Sequence, residues 1–318
     1  MKNILIIGAG AMGSAFSIPL LDNGHSVMLT EPYNFKLLQK LKSKNKFHPS
    51  LNINLPKKLK IDKFSSEILN REWDLIVIAV SSIGIELIGK KLLKVKNKSP
   101  ILVLTKGLKL DSGSLISMSS LLRKNNKNLN ISVLKGPCLA KELAKRVKSF
   151  TVVANKNINT AKKIGKLIST NYYETEFSRD VNGVEFLSAI KNIYSMIIGA
   201  GQWHNTSSAL FSKSIDEMKY LANYFKGKKE TVYGLAGLGD LYVSAMGGRN
   251  SKMGEYLGKG YTFTQAKKKF MKNDTVEGAD LAVEIAPFVF KKINKRKIPL
   301  MISLLETIVK NKKLKISY

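Results

Sequence analysis

Three polar side chains in the second half of this 318-residue chain have the types and settings that chemistry requires. Lys191 interrupts an apolar run, Glu185 to Gly201, in which Phe186, Leu187, Ile190, Ile193, Tyr194, Ile197 and Ile198 recur at the spacing of a mostly buried helix. Burying an ammonium costs several kcal/mol unless it is paired, so Lys191 either carries its charge out to water along its alkyl stem or is held for proton transfer. Asp240 and Arg249 lie in TVYGLAGLGDLYVSAMGGRNSKMG, residues 231–254, which combines glycines with Leu235, Leu238, Leu241 and Val243. That mixture does not read as a flexible linker. Arg249 offers a planar fork that binds phosphate through two parallel hydrogen bonds, and Asn250 adds a polar contact.

A second constellation opens the chain. Gly8, Gly10 and Gly13 form G-x-G-x-x-G directly after the apolar NILII, and a helical pattern follows. In that setting the glycines serve a tight turn, backbone approach to a pyrophosphate, and close packing of helix on strand, with the helix N-terminus facing the phosphates. Glu31 ends the next strand pattern, placed to accept hydrogen bonds from adenosine ribose hydroxyls. A carboxylate there repels a 2′-phosphate, so NAD is expected over NADP, which nearby Lys36 leaves open.

These residues must be held by a matching scaffold. NILIIG, SVMLT, DLIVIAV, ILVLTKG, ISVLKG, FTVVAN and YYETEF read as strands, separated by amphipathic segments such as AMGSAFSIPLLDN, GIELIGKKLLKV and TAKKIGKLIST. Such alternation implies βαβ units and a mostly parallel sheet covered by helices on both faces. From Val181 onward the periodicity is helical, in SALFSKSIDEMKYLANYF, GADLAVEIAPFVFKKIN and PLMISLLETIVK. The expected organisation is α/β: a Rossmann-type doubly wound sheet domain over 1–180, then an all-α substrate and catalytic domain over 181–318.

Composition bounds the rest. Length suggests two domains, and 44% hydrophobic residues suffice for two cores. One cysteine, Cys138, excludes an internal disulfide and fits a reducing compartment. No apolar run approaches the roughly 18 residues that span a bilayer, so a cytoplasmic protein is expected. The net charge of +30 comes from 53 Lys and Arg spread along the chain, in KLKSKNKF, KKLLKVKNK, AKKIGK, AKKKFMK and KKINKRK. No basic stripe with interleaved aromatics accompanies them, which speaks against specific nucleic-acid binding and leaves a general pull on anionic small molecules. The histidines, His25, His48 and His204, lack ligand-like spacing and are expected on surfaces or loops; no metal is expected.

Over nearly its whole length the chain resembles the NAD(P)-dependent glycerol-3-phosphate dehydrogenases. The likeness lies in GAGAMG, in LTKG ending at Gly107, in KGPCLAKE from Lys135, in AIKN, in GLAGLGDL with GGRN, and in VEG at 276–278. It implies reversible hydride transfer between dihydroxyacetone phosphate and glycerol 3-phosphate and a supply of glycerophospholipid precursor, while the all-α second domain with its glycine-rich apolar segment gives the expectation of a homodimer. By the same resemblance Lys191 is the acid/base, with Lys106, Asn192 and Asp240 beside it in the catalytic group. Gly136, Cys138, Ser244, Gly248, Arg249 and Asn250 complete the substrate site. Ala11, Met12, Lys106, Ala140, Arg249, Thr275 and Glu277 join Gly8, Gly10, Gly13 and Glu31 at the cofactor. The chain departs from the family in Ala11-Met12, in Cys138 where a hydroxyl is usual, in Glu31-Pro32, and in GQWHNTSSAL at 201–210. A related dehydrogenase of another phosphorylated polyol fits the same residues; a cofactor-sensing nucleic-acid or membrane binder would not need Lys191, Asp240 and Arg249 together.

Overall fold

The computed structural model describes residues 1–93 and 99–316, so the end of the GIELIGKKLLKV segment and the KVKNK that closes the basic run KKLLKVKNK lie outside the described residues. The chain divides into two compact units, Met1–Lys106 with Met118–Val181, and Gly107–Ser117 with Asn182–Tyr318.

In chain order the strands are β1 (Asn3–Ile7), β2 (Ser26–Glu31), β3 (Phe47–His48), β4 (Ile53–Asn54), β5 (Lys60–Lys63), β6 (Leu75–Ile78), β7 (Ile101–Val103), β8 (Leu108–Asp111), β9 (Ser114–Ser117), β10 (Ile131–Lys135), β11 (Ser149–Ala154) and β12 (Tyr173–Ser178). Eight of them form the sheet of the first unit, in the order β12-β11-β10-β7-β6-β1-β2-β5. Every neighbouring pair is parallel except β10 with β11. Ile4 pairs with Val27 on one side and Leu75 on the other, which fixes the central register. The central strands are apolar without alternation because both faces are covered: Ile4 to Ile7 and Leu75 to Ile78 are all buried. The strand order reverses at β1, where chains leave toward β2 on one side and β6 on the other, and ligands of such sheets bind beyond the carboxyl ends of the strands at that point.

All seven strand segments read from the sequence are present. β5, with the sequence KIDK, was not legible, because an edge strand with exposed lysines carries little hydrophobic signal.

The second unit is built around the helix Val181–Gly199, whose residues from Val184 to Ile198 are buried all round. The helices His204–Tyr224, Arg249–Gly258, Glu277–Lys292 and Pro299–Val309 supply most of the other residues of this core. Two of them approach by backbone: a Cβ at Gly254 would lie 1.9 Å from the Met196 carbonyl oxygen, and one at Gly278 would lie 2.6 Å from that of Asn192. Only glycine permits these crossings, which bring the segments carrying Arg249 and Glu277 against the helix of Lys191.

This unit is not wholly helical. The hairpin β8–β9 belongs to it, turning through Ser112 and Gly113, both at positive φ. The Asp-Ser-Gly turn between LKL and SLIS is a hairpin signal of the type I′ kind, available in the sequence but overlooked there. Glu284 accepts a hydrogen bond from the Leu110 amide at 2.8 Å, and Ser117 donates to Glu185 at 2.6 Å.

Candidate active site

In the first unit, the turn after β1 has the shape a pyrophosphate requires. Gly8 stands at φ +110, and a side chain there would strike the Ala79 carbonyl at 2.7 Å; one at Gly13 would lie 2.0 Å from the Gly8 oxygen. A side chain at Gly10 would meet nothing within 4 Å, so this face of the turn is open where a phosphate would approach. The helix Ala11–Asp22 begins immediately, with no side chain capping it, and its first amides, from Ala11 to Gly13, are the orphan donors of a helix N-terminus. The residues present therefore fit the dinucleotide.

Glu31 is buried, and its carboxylate is shared among three backbone amides: Oε2 accepts from Ala9 at 2.8 Å, and Oε1 accepts from Tyr33 at 2.8 Å and Asn34 at 3.0 Å. The acid expected to meet the ribose thus also shapes the glycine turn. The other side of that turn is held by His48, which corrects its expected surface location: it is only 1% exposed. Its Nδ1 accepts from the Leu51 amide, which leaves Nε2 to donate to the Ala9 carbonyl at 3.1 Å. Burial holds its pKa below the usual value, so the ring is neutral at pH 7. Of the other histidines, His204 is exposed, and His25 is half-buried with Nε2 3.1 Å from the Leu167 carbonyl.

Lys106 follows β7 and is half-buried. Against the residues that precede it packs an ammonium that sequence reasoning passed over: Lys135, buried, donates to the carbonyls of Val103, Leu104 and Thr105 at 3.3, 3.2 and 2.7 Å. The signal was present as a lysine closing the apolar run ISVLK. Gly136 follows at φ +128, Cys138 is half-buried, and Ala140 opens the helix Ala140–Ala144.

In the second unit, Lys191 does not reach for water. It is 6% exposed, and its Nζ lies 2.6 Å from Asp240 Oδ1, itself 2% exposed. Ser188 donates to the other oxygen, Oδ2, at 3.1 Å, and Lys191 also donates to Ser244 Oγ. Asp240 is delivered by an unusual backbone: Leu235–Gly239 forms a π turn leading into the helix Asp240–Ala245. A Cβ at Gly237 would sit 2.2 Å from the Val232 oxygen, so this turn needs its glycine. Such π turns concentrate at functional sites because they re-aim the side chains around them.

Next to Lys191 in the chain, Asn192 donates to Glu277 Oε2 at 3.3 Å, and Arg249 Nη2 lies 3.5 Å from Glu277 Oε1. Asn250 accepts from the Gly278 amide at 2.9 Å. The Arg249 side chain is 52% exposed, and its long contact with an exposed carboxylate is worth little, so the guanidinium is available to an anion. Gly248 is the N-cap of the ten-residue helix Arg249–Gly258, so Arg249 and the first amides of that helix offer an anion positive charge from two sources. Thr275 is exposed just before Glu277, which opens the helix Glu277–Lys292. The second unit thus brings Lys191, Asn192, Asp240, Ser244, Arg249, Asn250 and Glu277 into linked contacts, while Lys106, Gly136, Cys138, Ala140 and the glycine turn belong to the first.

Two family models match nearly the whole chain. The N-terminal model of the NAD-dependent glycerol-3-phosphate dehydrogenases matches residues 3–161, and the C-terminal model matches residues 180–317. An NADP(+)-dependent glycerol-3-phosphate dehydrogenase of Archaeoglobus fulgidus is 31% identical over 309 residues, covering 92% of this chain and 90% of that protein. A glycerol-3-phosphate dehydrogenase [NAD(P)+] of Francisella tularensis is 33% identical over 303 residues, covering 91% and 88%. The fold is that of the crystal structure of glycerol-3-phosphate dehydrogenase from Coxiella burnetii, with a TM-score of 0.85, 24% identity, and coverage of 98% and 96%. The chain belongs to the NAD-dependent glycerol-3-phosphate dehydrogenase family.

Proposed function

We propose that this chain catalyses the reversible reduction of dihydroxyacetone phosphate to sn-glycerol 3-phosphate with NADH or NADPH, the product serving as a glycerophospholipid precursor. The observation that carries this reading is the buried Lys191–Asp240 pair in the unit that also presents Arg249 at a helix N-terminus. When bound, the nicotinamide supplies the hydride in one direction and accepts it in the other.

The chain's own residues do the rest. Gly8, Gly10, Gly13 and the amides of the first helix hold the pyrophosphate. Reduction places negative charge on the carbonyl oxygen, and Lys191 donates a proton to it; in the reverse direction the neutral amine removes the alcohol proton. Asp240 and Ser244 fix the direction of the Nζ group, so little reorganisation accompanies the transfer. Asn192 orients a substrate hydroxyl, and Arg249 with Asn250 clamps the phosphate, which requires Arg249 to leave Glu277. Lys106 adds a second cation for the substrate, and Glu277 and Thr275 contribute to the cofactor.

The test is NADH oxidation across a panel of phosphorylated ketones. Dihydroxyacetone phosphate should give the highest kcat/KM; a larger value for another phosphorylated ketone would move the assignment to that polyol. Among the described residues no helix is long and apolar enough to cross a membrane. A cytoplasmic homodimer completes the reading, supported by the single cysteine and the apolar glycine-rich segment at 234–248, and light scattering at the mass of a monomer would reject the dimer.

A further inference from the structure

The second unit contains a cavity of about 480 Å³ whose lining includes none of the residues of the candidate site. Four of its ten lining residues are lysines, whereas Lys and Arg together make up 53 of 318 residues in the chain, so the enrichment exceeds the general basic composition. They come from three places in the fold. Lys213 and Lys219 stand on the helix His204–Tyr224, Lys229 on the connection after it, and Lys297 in the short turn Lys295–Lys297 before the helix Pro299–Val309.

The acids nearby do not balance this charge. Asp216 is engaged with Lys219 at 3.3 Å. Glu217, in the wall of the cavity, is buried: Oε1 accepts from the Leu300 amide at 2.6 Å, and Oε2 accepts from the Met301 amide at 3.1 Å and the Tyr194 hydroxyl at 2.9 Å. Among the described residues Lys213, Lys229 and Lys297 have no carboxylate partner. Like-charged ammonium groups around one concavity repel each other and raise the local concentration of anions. Tyr220 and Asn223 add hydrogen-bonding groups, and Pro299 with Leu300 adds an apolar wall.

We propose that this cavity is a second anion site, which binds a small metabolite carrying two or more phosphate groups. A concavity of this size suits a small ligand better than a flat membrane or duplex surface, and several ammonium groups need more negative charge than one phosphomonoester brings. Occupancy has a physical route to the catalytic helix, because Glu217 holds the hydroxyl of Tyr194, one turn along from Lys191.

Calorimetric titration with inorganic pyrophosphate at physiological salt tests the site, using the full chain saturated with NADH. Four proteins are compared: wild type, Lys213→Gln/Lys297→Gln, the charge-matched exposed pair Lys291→Gln/Lys292→Gln, and Arg249→Ala. The expected result is a site in wild type and in Arg249→Ala that weakens at least tenfold in Lys213→Gln/Lys297→Gln and stays within twofold of wild type in the charge-matched control. Equal weakening in both lysine pairs would show only the chain's overall charge, and unchanged binding in Lys213→Gln/Lys297→Gln would place the anion elsewhere; either overturns the proposal. The Lys213→Gln/Lys297→Gln protein should keep its basal NADH-dependent turnover, so failure of this site is distinguishable from failure of the catalytic reading.

Discussion

Replacing Lys191 by Met removes the ammonium while keeping most of the side-chain volume, and the structure sets two separate consequences. The first is on stability. Asp240 would remain buried with Ser188 still donating to it but without the ammonium, and breaking a buried pair by removing one partner costs about 3–5 kcal/mol. For a unit of this size about 2–4 °C of melting temperature accompanies each kcal/mol, so the transition should fall by roughly 6–20 °C. The second is on turnover, which should drop by about 100-fold to 10,000-fold with loss of the proton donor. A double variant, Lys191→Met/Asp240→Asn, separates the two. With the charge removed from both partners, most of the lost melting temperature should return, because neutral replacements of a buried pair are often tolerated. Activity should not return. Thermal unfolding by circular dichroism and NADH oxidation by absorbance read the two effects on the same samples, and NADH affinity by fluorescence should change little in either variant. If the double variant recovers turnover along with stability, Lys191 is a structural lysine and the acid/base assignment falls.

Three other predictions address separate groups. Arg249→Ala should raise KM for dihydroxyacetone phosphate at least tenfold while changing turnover of unphosphorylated dihydroxyacetone much less; equal losses on both substrates would remove Arg249 from the phosphate clamp. NADH should outperform NADPH in kcat/KM, and Glu31→Gln should narrow the gap because the charge that repels a 2′-phosphate is gone; steady-state preference for NADPH in wild type would refute this. Burial pushes the Glu217 carboxyl up to about 7 from its ordinary 4.5. The folded state therefore holds its proton more tightly than the unfolded state, so Glu217 contributes most stability below pH 4.5 and loses it as pH rises through 7. Urea unfolding of wild type and Glu217→Gln between pH 5 and 8 should show the stability difference shifting in favour of Gln as pH rises; a difference that is flat with pH would mean that Glu217 is charged throughout.

Both a lysine and an aspartate that the sequence singled out prove to be partners, yet the pairing itself was not readable from spacing. Lys191 and Asp240 are far apart in the chain, and their 2.6 Å contact depends on a π turn at Leu235–Gly239 that periodicity does not encode. Local patterns determined the rest of the framework: apolar runs without alternation gave the strands of a doubly covered sheet, and G-x-G-x-x-G marked the turn after β1. They did so because burial on both faces and tight turns leave a mark within a few residues. Tertiary structure alone decided where charges end up. Only the folded chain tucks His48 under Ala9, buries Lys135 against three carbonyls, sends Glu31 to backbone amides, and gathers lysines from three segments around one cavity. The physical reason is range: hydrophobic periodicity is a local property of the chain, whereas the partner of a buried charge is chosen by whatever the fold brings within about 3 Å.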